Sequence, residues 1–150
     1  PDADFRRSTV GGVVPTAEIL NMLSGGLDKE ALNTIRNFNG ELADAIQEKM
    51  FVFEDFNDIE DRSLQTLLLE VPQETLIVAL KGASPKLREK LFKNMAKRDA
   101  DGVREDLETR PPVKVQEVEE MQKEVIRVAR TLADEGRMIM ERGKSADAFL

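Results

Sequence analysis

The chain has 150 residues, 41% of them hydrophobic and 34% charged, and its formal net charge is −7. One or two small domains are expected at this length, and the acidic balance argues against a nucleic-acid partner, because phosphate backbones would repel it. Cysteine and histidine are both absent, which excludes disulfides, thiolate metal ligands and the usual general base.

The sequence shows neither a membrane-spanning segment nor a secretory signal. No apolar run reaches the ~20 residues that a membrane helix needs, so direct membrane insertion is not expected. No secretory signal is visible, and the beginning of the chain looks like the edge of a fragment. No cofactor site is indicated either.

The first third of the chain predicts three short helices. Residues 1–14 are glycine-rich and are predicted to be an irregular linker, after which Pro15 opens the first helix. The apolar stripe of that helix consists of Ile19, Leu20 and Leu23. Asp28 and Asn39 are predicted to cap the next two helices. Because the helices of 15–49 bury little surface, we expect this unit to be one member of a helical stack.

Residues 50–57 join this unit to the rest of the chain and begin with Met50-Phe51-Val52-Phe53. One interpretation is that these large apolar side chains are simply core residues. The other is a hinge, since packed cores have discrete alternative arrangements and such a joint can hold either of two of them.

The second part, 58–150, predicts several further helices. Pro72 suits the first position of a helix, because it has no N–H to lose there, and Ser84-Pro85 has the pattern of a cap followed by proline. The long helix 113–135 is predicted to be the central packing helix of a bundle rather than a coiled coil, since its apolar repeat lasts under three heptads. The tail 137–150 carries no pattern that predicts a structure. No strand alternation appears, so an all-α fold is predicted.

A strongly charged helix is predicted over about 97–109. Its few apolar residues, Ala100, Val103 and Leu107, fall on one narrow side of the helix. The opposite side carries Arg98, Asp101, Glu105 and Glu108. The simplest interpretation is a solvated face with internal pairs such as Arg98 with Asp101. Gly102 is unusual there, because glycine inside a helix is less favourable than alanine by ~1 kcal/mol.

An acidic cluster at a helix start, Asp58, Glu60 and Asp61, has two interpretations. It could be an oxygen-ligand cation site, or it could be carboxylates that interact favourably with a helix N-terminus. The second is favoured, because the ligand spacing and glycine of an EF-hand loop are missing. Carboxylates alone could support acid–base chemistry, but no nucleophile or phosphate-binding loop accompanies them, so an enzyme is not expected.

Several sequence blocks occur together in the order and spacing of a known family. They are GGV at 11–13, AEILN at 17–21, MFVFED at 50–55, DRSLQTLLLEV at 61–71, ALKGA at 79–83, LREK at 87–90, NMAKR at 94–98, REDLE at 104–108 and PVK at 112–114. Over about residues 11–140 the chain therefore resembles the flagellar motor switch family FliG.

The resemblance implies an all-α architecture in which an armadillo-like three-helix unit, 15–49, is joined by the hinge 50–57 to a multi-helix torque subdomain, 58–150. It implies that the unit stacks on a neighbouring subunit through Ile19, Leu20 and Leu23. The charges that it implies to face the stator are Lys81, Arg98, Glu105, Asp106 and Lys114. Asp99 and Gly102 depart from the family, which usually has apolar or small residues there.

The partners implied are the stator protein MotA, the switch proteins FliM and FliN, and FliG neighbours in a ring. The implied place is the cytoplasmic face of the inner membrane, in the flagellar basal body. The family's N-terminal and middle domains are missing here, so docking to the membrane ring and the main FliM site are expected to be missing too. One alternative is a regulatory helical domain like that of a magnesium transporter, whose acidic clusters would bind cations; another is an enzyme that uses carboxylates alone.

Overall fold

The computed structural model describes residues 2–141, with side chains described from residue 12 onward. Within that range every regular element is a helix, which confirms the predicted all-α class. The elements are α1 (Asp2–Met22), α2 (Leu27–Phe38), α3 (Gly40–Lys49), a 3-10 helix (Phe53–Asp58), α4 (Asp61–Glu70), α5 (Gln73–Leu80), α6 (Pro85–Lys93), α7 (Lys97–Thr109) and α8 (Val115–Asp134). The last nine residues of the predicted tail, 142–150, lie outside the described residues.

The chain divides into two compact units, and the division falls between Phe51 and Val52. It lies inside the segment predicted as a hinge, 50–57. Most of that segment is not extended, because residues from Phe53 onward form the 3-10 helix of the second unit.

The predicted irregular linker over 1–14 is wrong, because α1 begins at Asp2 and runs through Pro15. A proline inside a helix removes one backbone hydrogen bond and usually bends or breaks the helix. Here Val13 and Ala17 are both buried in the core of the first unit, on either side of Pro15. Their packing outweighs the local glycine and proline signals, which are weak compared with tertiary contacts.

The first unit has a small core. Four buried residues form its centre, and half-buried apolar side chains from α2, from α3 and from the residues that follow α1 and α3 surround them. The buried four are Val13, Ala17, Leu20 and Ile46. No side chain of α2 is fully buried, so that helix covers the core from one side only.

The caps of α2 and α3 differ from each other. Asn39 caps α3 as predicted, since its side chain accepts a hydrogen bond from the Leu42 N–H at 3.1 Å. Asp28 does not cap α2, because the helix already begins at Leu27 with Gly26 as the N-cap at φ 81°. The glycine turn starts the helix two residues earlier than predicted, and Asp28 then lies in the first turn, where a carboxylate is still favourable.

The second unit is built around α5, in which Leu76 through Leu80 are all buried. The helices α7 and α8 pack on α5, and α6 packs on α7 and on the 3-10 helix. The largest fully buried side chains of this unit are Phe56, Ile59, Leu64, Leu67, Ile77, Leu80, Leu87 and Val103. The predicted apolar side of α8 is buried at Val118, Val125 and Leu132, so α8 packs within its own unit, although α5 and not α8 is the central helix.

Helix ends in the second unit follow the local signals closely. The Ser84 hydroxyl accepts a hydrogen bond from the Leu87 N–H at 3.2 Å, and Pro85 lies in the first turn of α6. Pro72 is the N-cap of α5 rather than its first residue. Gly136 has φ 76°, and the next N–H, of Arg137, bonds to the Leu132 carbonyl at 2.8 Å, which is the Schellman pattern that ends α8.

Candidate functional site

Helix α7 has one buried side and one open side, as its spacing predicts. Ala100 and Val103 are buried, and Leu107 is half-buried. The four residues predicted on the opposite side, Arg98, Asp101, Glu105 and Glu108, are all exposed. We call these four, together with Asp106 and Lys114, the charged face. The predicted pair of Arg98 with Asp101 is absent, since the Arg98 side chain pairs with nothing in the described part of the chain.

The five charges implied to face a stator fall into three groups. Arg98, Glu105 and Lys114 are exposed, and among residues 12–141 their side chains have no hydrogen-bond or ion-pair partner. Asp106 is half-buried and lies close enough to Arg110 to interact with its charge. Lys81 is different, because its ammonium group donates to two backbone carbonyls at the end of α7.

Two ion pairs hold α7 against its neighbours. The Arg104 guanidinium donates to both carboxylate oxygens of Glu89 on α6, at 2.9 and 3.0 Å, and lies 4.4 Å from the centre of the Phe92 ring. The Arg110 guanidinium makes the same bidentate contact, donating to both carboxylate oxygens of Glu74 on α5. Each hydrogen-bonded arginine lowers the pKa of its glutamate below the ordinary value.

The sequence did not reveal these pairs. The partners lie 15 and 36 residues apart, and the only local signal is that arginines stand among acidic residues. Together the pairs fix the rotation of α7, so the open charges point away from the core.

Asn21 holds the backbone of Phe51, the last residue of the first unit, through two hydrogen bonds. This side chain is buried, its amide nitrogen donates to the Phe51 carbonyl at 2.7 Å, and its oxygen accepts from the Phe51 N–H at 2.9 Å. The next N–H, of Val52, donates to the Asp55 carboxylate at 2.8 Å. The four residues predicted as the hinge therefore have unequal surroundings: Met50 is half-buried, Phe51 is buried, Val52 is exposed, and the ring of Phe53 packs edge-on against Phe56 in the second unit.

Of the three residues implied to stack on a neighbouring subunit, only Ile19 is open. Leu20 is buried and Leu23 is half-buried, and both pack in the core of their own unit. Ile19 is 62% exposed, and Val14 and Met22 of the same helix are also exposed. A second apolar face of α1 is thus available, and Leu20 is not part of it.

Two of the three members of the acidic cluster at the start of α4, Glu60 and Asp61, hydrogen-bond to neighbouring polar groups. Asp61 accepts a hydrogen bond from the Asn94 amide at 3.0 Å, and this bond lowers the pKa of Asp61. Glu60 accepts from the Ser63 hydroxyl at 2.9 Å. Among the described residues, no three acidic side chains come together as a metal site would require, and no helix there is long and apolar enough to cross a membrane.

Comparison with known proteins decides the family. The model of the FliG C-terminal domain matches residues 33–140 of this chain. The chain belongs to the FliG C-terminal domain family. The resemblance carried by the sequence blocks is thereby confirmed.

Curated FliG proteins match nearly the whole chain. The flagellar motor switch protein FliG of Vibrio cholerae is 43% identical over 148 residues, which is 99% of this chain and 42% of that protein. FliG of Thermotoga maritima is 44% identical over 143 residues, 95% of this chain and 43% of that protein. The chain therefore spans less than half the length of the curated relatives that it matches.

Solved FliG structures share the fold. A FliG crystal structure from H. pylori has a TM-score of 0.77 at 30% identity and covers 92% of this chain and 69% of that one. The full-length FliG of Aquifex aeolicus has a TM-score of 0.58 at 38% identity, over 83% of this chain and 39% of that one. Both carry the same all-helical architecture.

Proposed function

We propose that this chain is the torque-generating, C-terminal part of a rotor protein in the flagellar motor switch, and that the charged face meets the stator protein MotA. The observation that carries the proposal is the set of exposed charges of both signs on and beside α7, of which Arg98, Glu105 and Lys114 have no partner among residues 12–141. Family membership favours this function over the alternatives of a magnesium-transporter domain and a carboxylate enzyme.

Open charges suit a contact that must form and break repeatedly. Two unit charges 4 Å apart attract by about 1 kcal/mol in water and about 4 kcal/mol at an effective dielectric near 20. Screening at cellular salt suppresses the attraction beyond ~8 Å. A rotor that passes a stator would therefore feel the contact only briefly, whereas a large apolar interface would hold it in place.

The mixed signs of the charged face also select a partner. Arg98 and Lys114 are positive and lie on either side of the acidic Glu105 and Asp106 along the chain. A stator loop with the inverse order of charges would be attracted, and a loop with the same order would be repelled.

Further roles follow from the family and are part of the same proposal. The open side of α1 around Ile19 would stack on a FliG neighbour in a ring, at the cytoplasmic face of the inner membrane, where FliM and FliN complete the switch. Bending at Met50-Phe51-Val52-Phe53 would re-aim the charged face and so change the direction of rotation. The fixed Phe51 backbone and the exposed Val52 support a bend close to Val52.

The test is charge reversal in the full-length gene of the source organism. One strain carries Arg98→Glu, Glu105→Lys and Asp106→Lys. The matched control carries Arg62→Glu, Asp58→Lys and Asp134→Lys, which make the same net change on exposed residues away from α7. We expect the first strain to build flagella yet swim slowly or not at all, and the control to swim normally.

Two other outcomes would count against the proposal. Normal swimming of the first strain would make the charged face an ordinary solvated surface. A loss of flagella in that strain, with flagella retained in the control, would assign the face to assembly rather than torque. Counting filaments and tracking swimming speed separates these cases.

A further inference from the structure

We propose that Lys81 is a positioning residue for the charged face, which holds the C-terminal end of α7 in place and does not contact the stator. Its ammonium group donates to the carbonyls of Leu107 and Arg110, both at 3.1 Å. Lys81 itself is half-buried at the end of α5. The ammonium group of Lys81 is therefore hydrogen-bonded within the second unit, whereas the charged groups of Arg98, Glu105 and Lys114 are exposed.

Helix α7 needs such a partner because, among the described residues, no backbone N–H beyond that of the C-cap residue Arg110 bonds to its last carbonyls. The last carbonyls of any helix have no partner within the helix. At the end of α8, Gly136 turns the chain back so that backbone N–H groups reach those carbonyls. At the end of α7, Arg110 is extended with φ −73° and ψ 144°, two prolines follow, and prolines have no N–H to donate. Lys81 supplies the missing donors from another helix.

The charge of Lys81 also suits this position. The C-terminal end of a helix carries a partial negative charge, and cations there are favourable. The last turn of α7 has no basic residue, and the C-cap residue Arg110, which is positive, already forms an ion pair with Glu74. Negative charge is added close by by Glu105, Asp106 and Glu108. The ammonium of Lys81 offsets both, so the acidic residues of the charged face can lie near a helix end where they would otherwise be unfavourable.

Lys81 is itself braced from two directions. The Arg88 side chain donates to the carbonyls of Leu80 and Lys81, at 2.8 and 3.2 Å, and so fixes the end of α5. The next residue, Gly82, lies so close to α8 that an added Cβ would be 2.8 Å from a methyl carbon of Val118. The backbone that carries Lys81 therefore has little room to move, and the side chain reaches the end of α7 from a rigid base.

Hydrogen exchange on the purified full-length protein tests the positioning itself. In Lys81→Met we expect the amides of residues 108–110 to exchange about tenfold faster, because an uncapped last turn opens more often. Lys81→Arg, which keeps charge and donors, should protect them nearly as well as lysine. Lys114→Met is the control and should leave these amides unchanged. Should Lys81→Met be too unstable to purify, Lys81→Ala, which also removes the charge and the donors, gives the same comparison.

Unchanged exchange at 108–110 in Lys81→Met, or in Lys81→Ala where that is the variant measured, would overturn the proposal. This readout does not involve a stator, so it decides the role of Lys81 even where the charged face turns out to have no part in torque.

A second experiment separates positioning from direct contact, and it rests on the proposed function. Strains with Arg98→Glu or Lys81→Glu are combined with a panel of single charge reversals in the cytoplasmic loop of the stator. We expect some stator reversal to restore swimming to Arg98→Glu and none to restore it to Lys81→Glu. If a stator reversal restored swimming to the Lys81→Glu strain, Lys81 would be a stator-contact residue and the proposal would be wrong. Failure to restore either strain, together with the expected faster exchange at 108–110 in Lys81→Met, would count against the proposed stator contact and not against the role of Lys81.

Discussion

Two glycines of the second unit occupy opposite kinds of position. A Cβ added to Gly82 would lie 2.8 Å from a Val118 methyl carbon and 2.9 Å from the Gln122 amide nitrogen. A Cβ added to Gly102 would meet only the Gln73 amide nitrogen, at 3.8 Å. Gly82 is therefore required by a close approach of backbone to α8, whereas nothing among the described residues requires glycine at position 102.

Gly102→Ala should raise the free energy of unfolding by ~0.5–1 kcal/mol, because glycine inside a helix has more conformational freedom to lose on folding. Gly82→Ala should lower it, since Val118 or Gln122 must move. Urea denaturation followed by circular dichroism measures both. A destabilised Gly102→Ala protein would contradict the prediction, and a stabilised protein that swims poorly would indicate that a partner approaches Gly102 closely.

At the scale of elements, α7 is held by its ion pairs to α5 and α6 as well as by Lys81. In Glu74 and Glu89 the arginine partners lower the carboxyl pKa in the folded protein. A lowered folded pKa means that the pair stabilises the protein above the unfolded pKa, and that this stability is lost as pH falls through the lowered value. Both pairs are solvent-exposed, so each contribution is modest.

The pH dependence of stability should therefore change in a charge-neutralised variant. With Glu74→Gln and Glu89→Gln together, stability should fall less steeply with acid below the ordinary glutamate pKa of 4.5. Replacing the partners instead, with Arg104→Gln and Arg110→Gln, should flatten the same part of the curve. Urea midpoints between about pH 6 and 3 provide the measurement. Curves parallel to that of the unchanged protein would show that the pairs do not form in solution.

A buried amide, that of Asn21, makes two hydrogen bonds with the last residue of the first unit. Asn21→Ala would remove both bonds from the Phe51 backbone, and the loss of a partner from a buried polar group costs about 1–3 kcal/mol. We expect at least ~2 kcal/mol of destabilisation and faster hydrogen exchange at Phe51. Asn37→Ala, on an exposed position of α2, is the control. Equal stability of the two variants would mean that water replaces Asn21 without loss and that Phe51 is not pinned.

At the scale of the whole molecule, the two units differ in how much core each one has. Among the described residues, the first unit buries six apolar side chains, and α2 contributes none of them. The second unit buries side chains from every one of its helices. Domains below ~60 residues bury too small a fraction of their surface to be more than marginally stable.

Expressed separately, the fragment 52–150 should fold cooperatively and the fragment 1–51 should not. Thermal melting followed by circular dichroism would show a sigmoidal transition for the first and a gradual change for the second. A cooperative transition in 1–51 would contradict the prediction and would remove the argument that this unit needs a stacking partner.

Local signals in the sequence predicted most of the helices and several of their ends. Asn39, Ser84 and Gly136 act on backbone groups within a few residues, so their effects can be read without knowing the fold. The two sides of α7 are equally local, since helical periodicity alone separates Ala100 and Val103 from the exposed charges. These features, with the family resemblance, needed no tertiary information.

Only the tertiary structure decided which charged side chains are exposed without a partner and which apolar side chains are buried. Lys81 and Leu107 are 26 residues apart, and no periodicity predicts that one lies at the end of the other's helix. Leu20 is covered and Ile19 is open, although both carry the same apolar signal. The sequence by itself determined helix class, helix ends and the polarity of each side, because these depend on neighbours within about four positions. The contacts of each long side chain depended on packing between helices that are distant in sequence. The local order of apolar and polar residues carries no information about that packing.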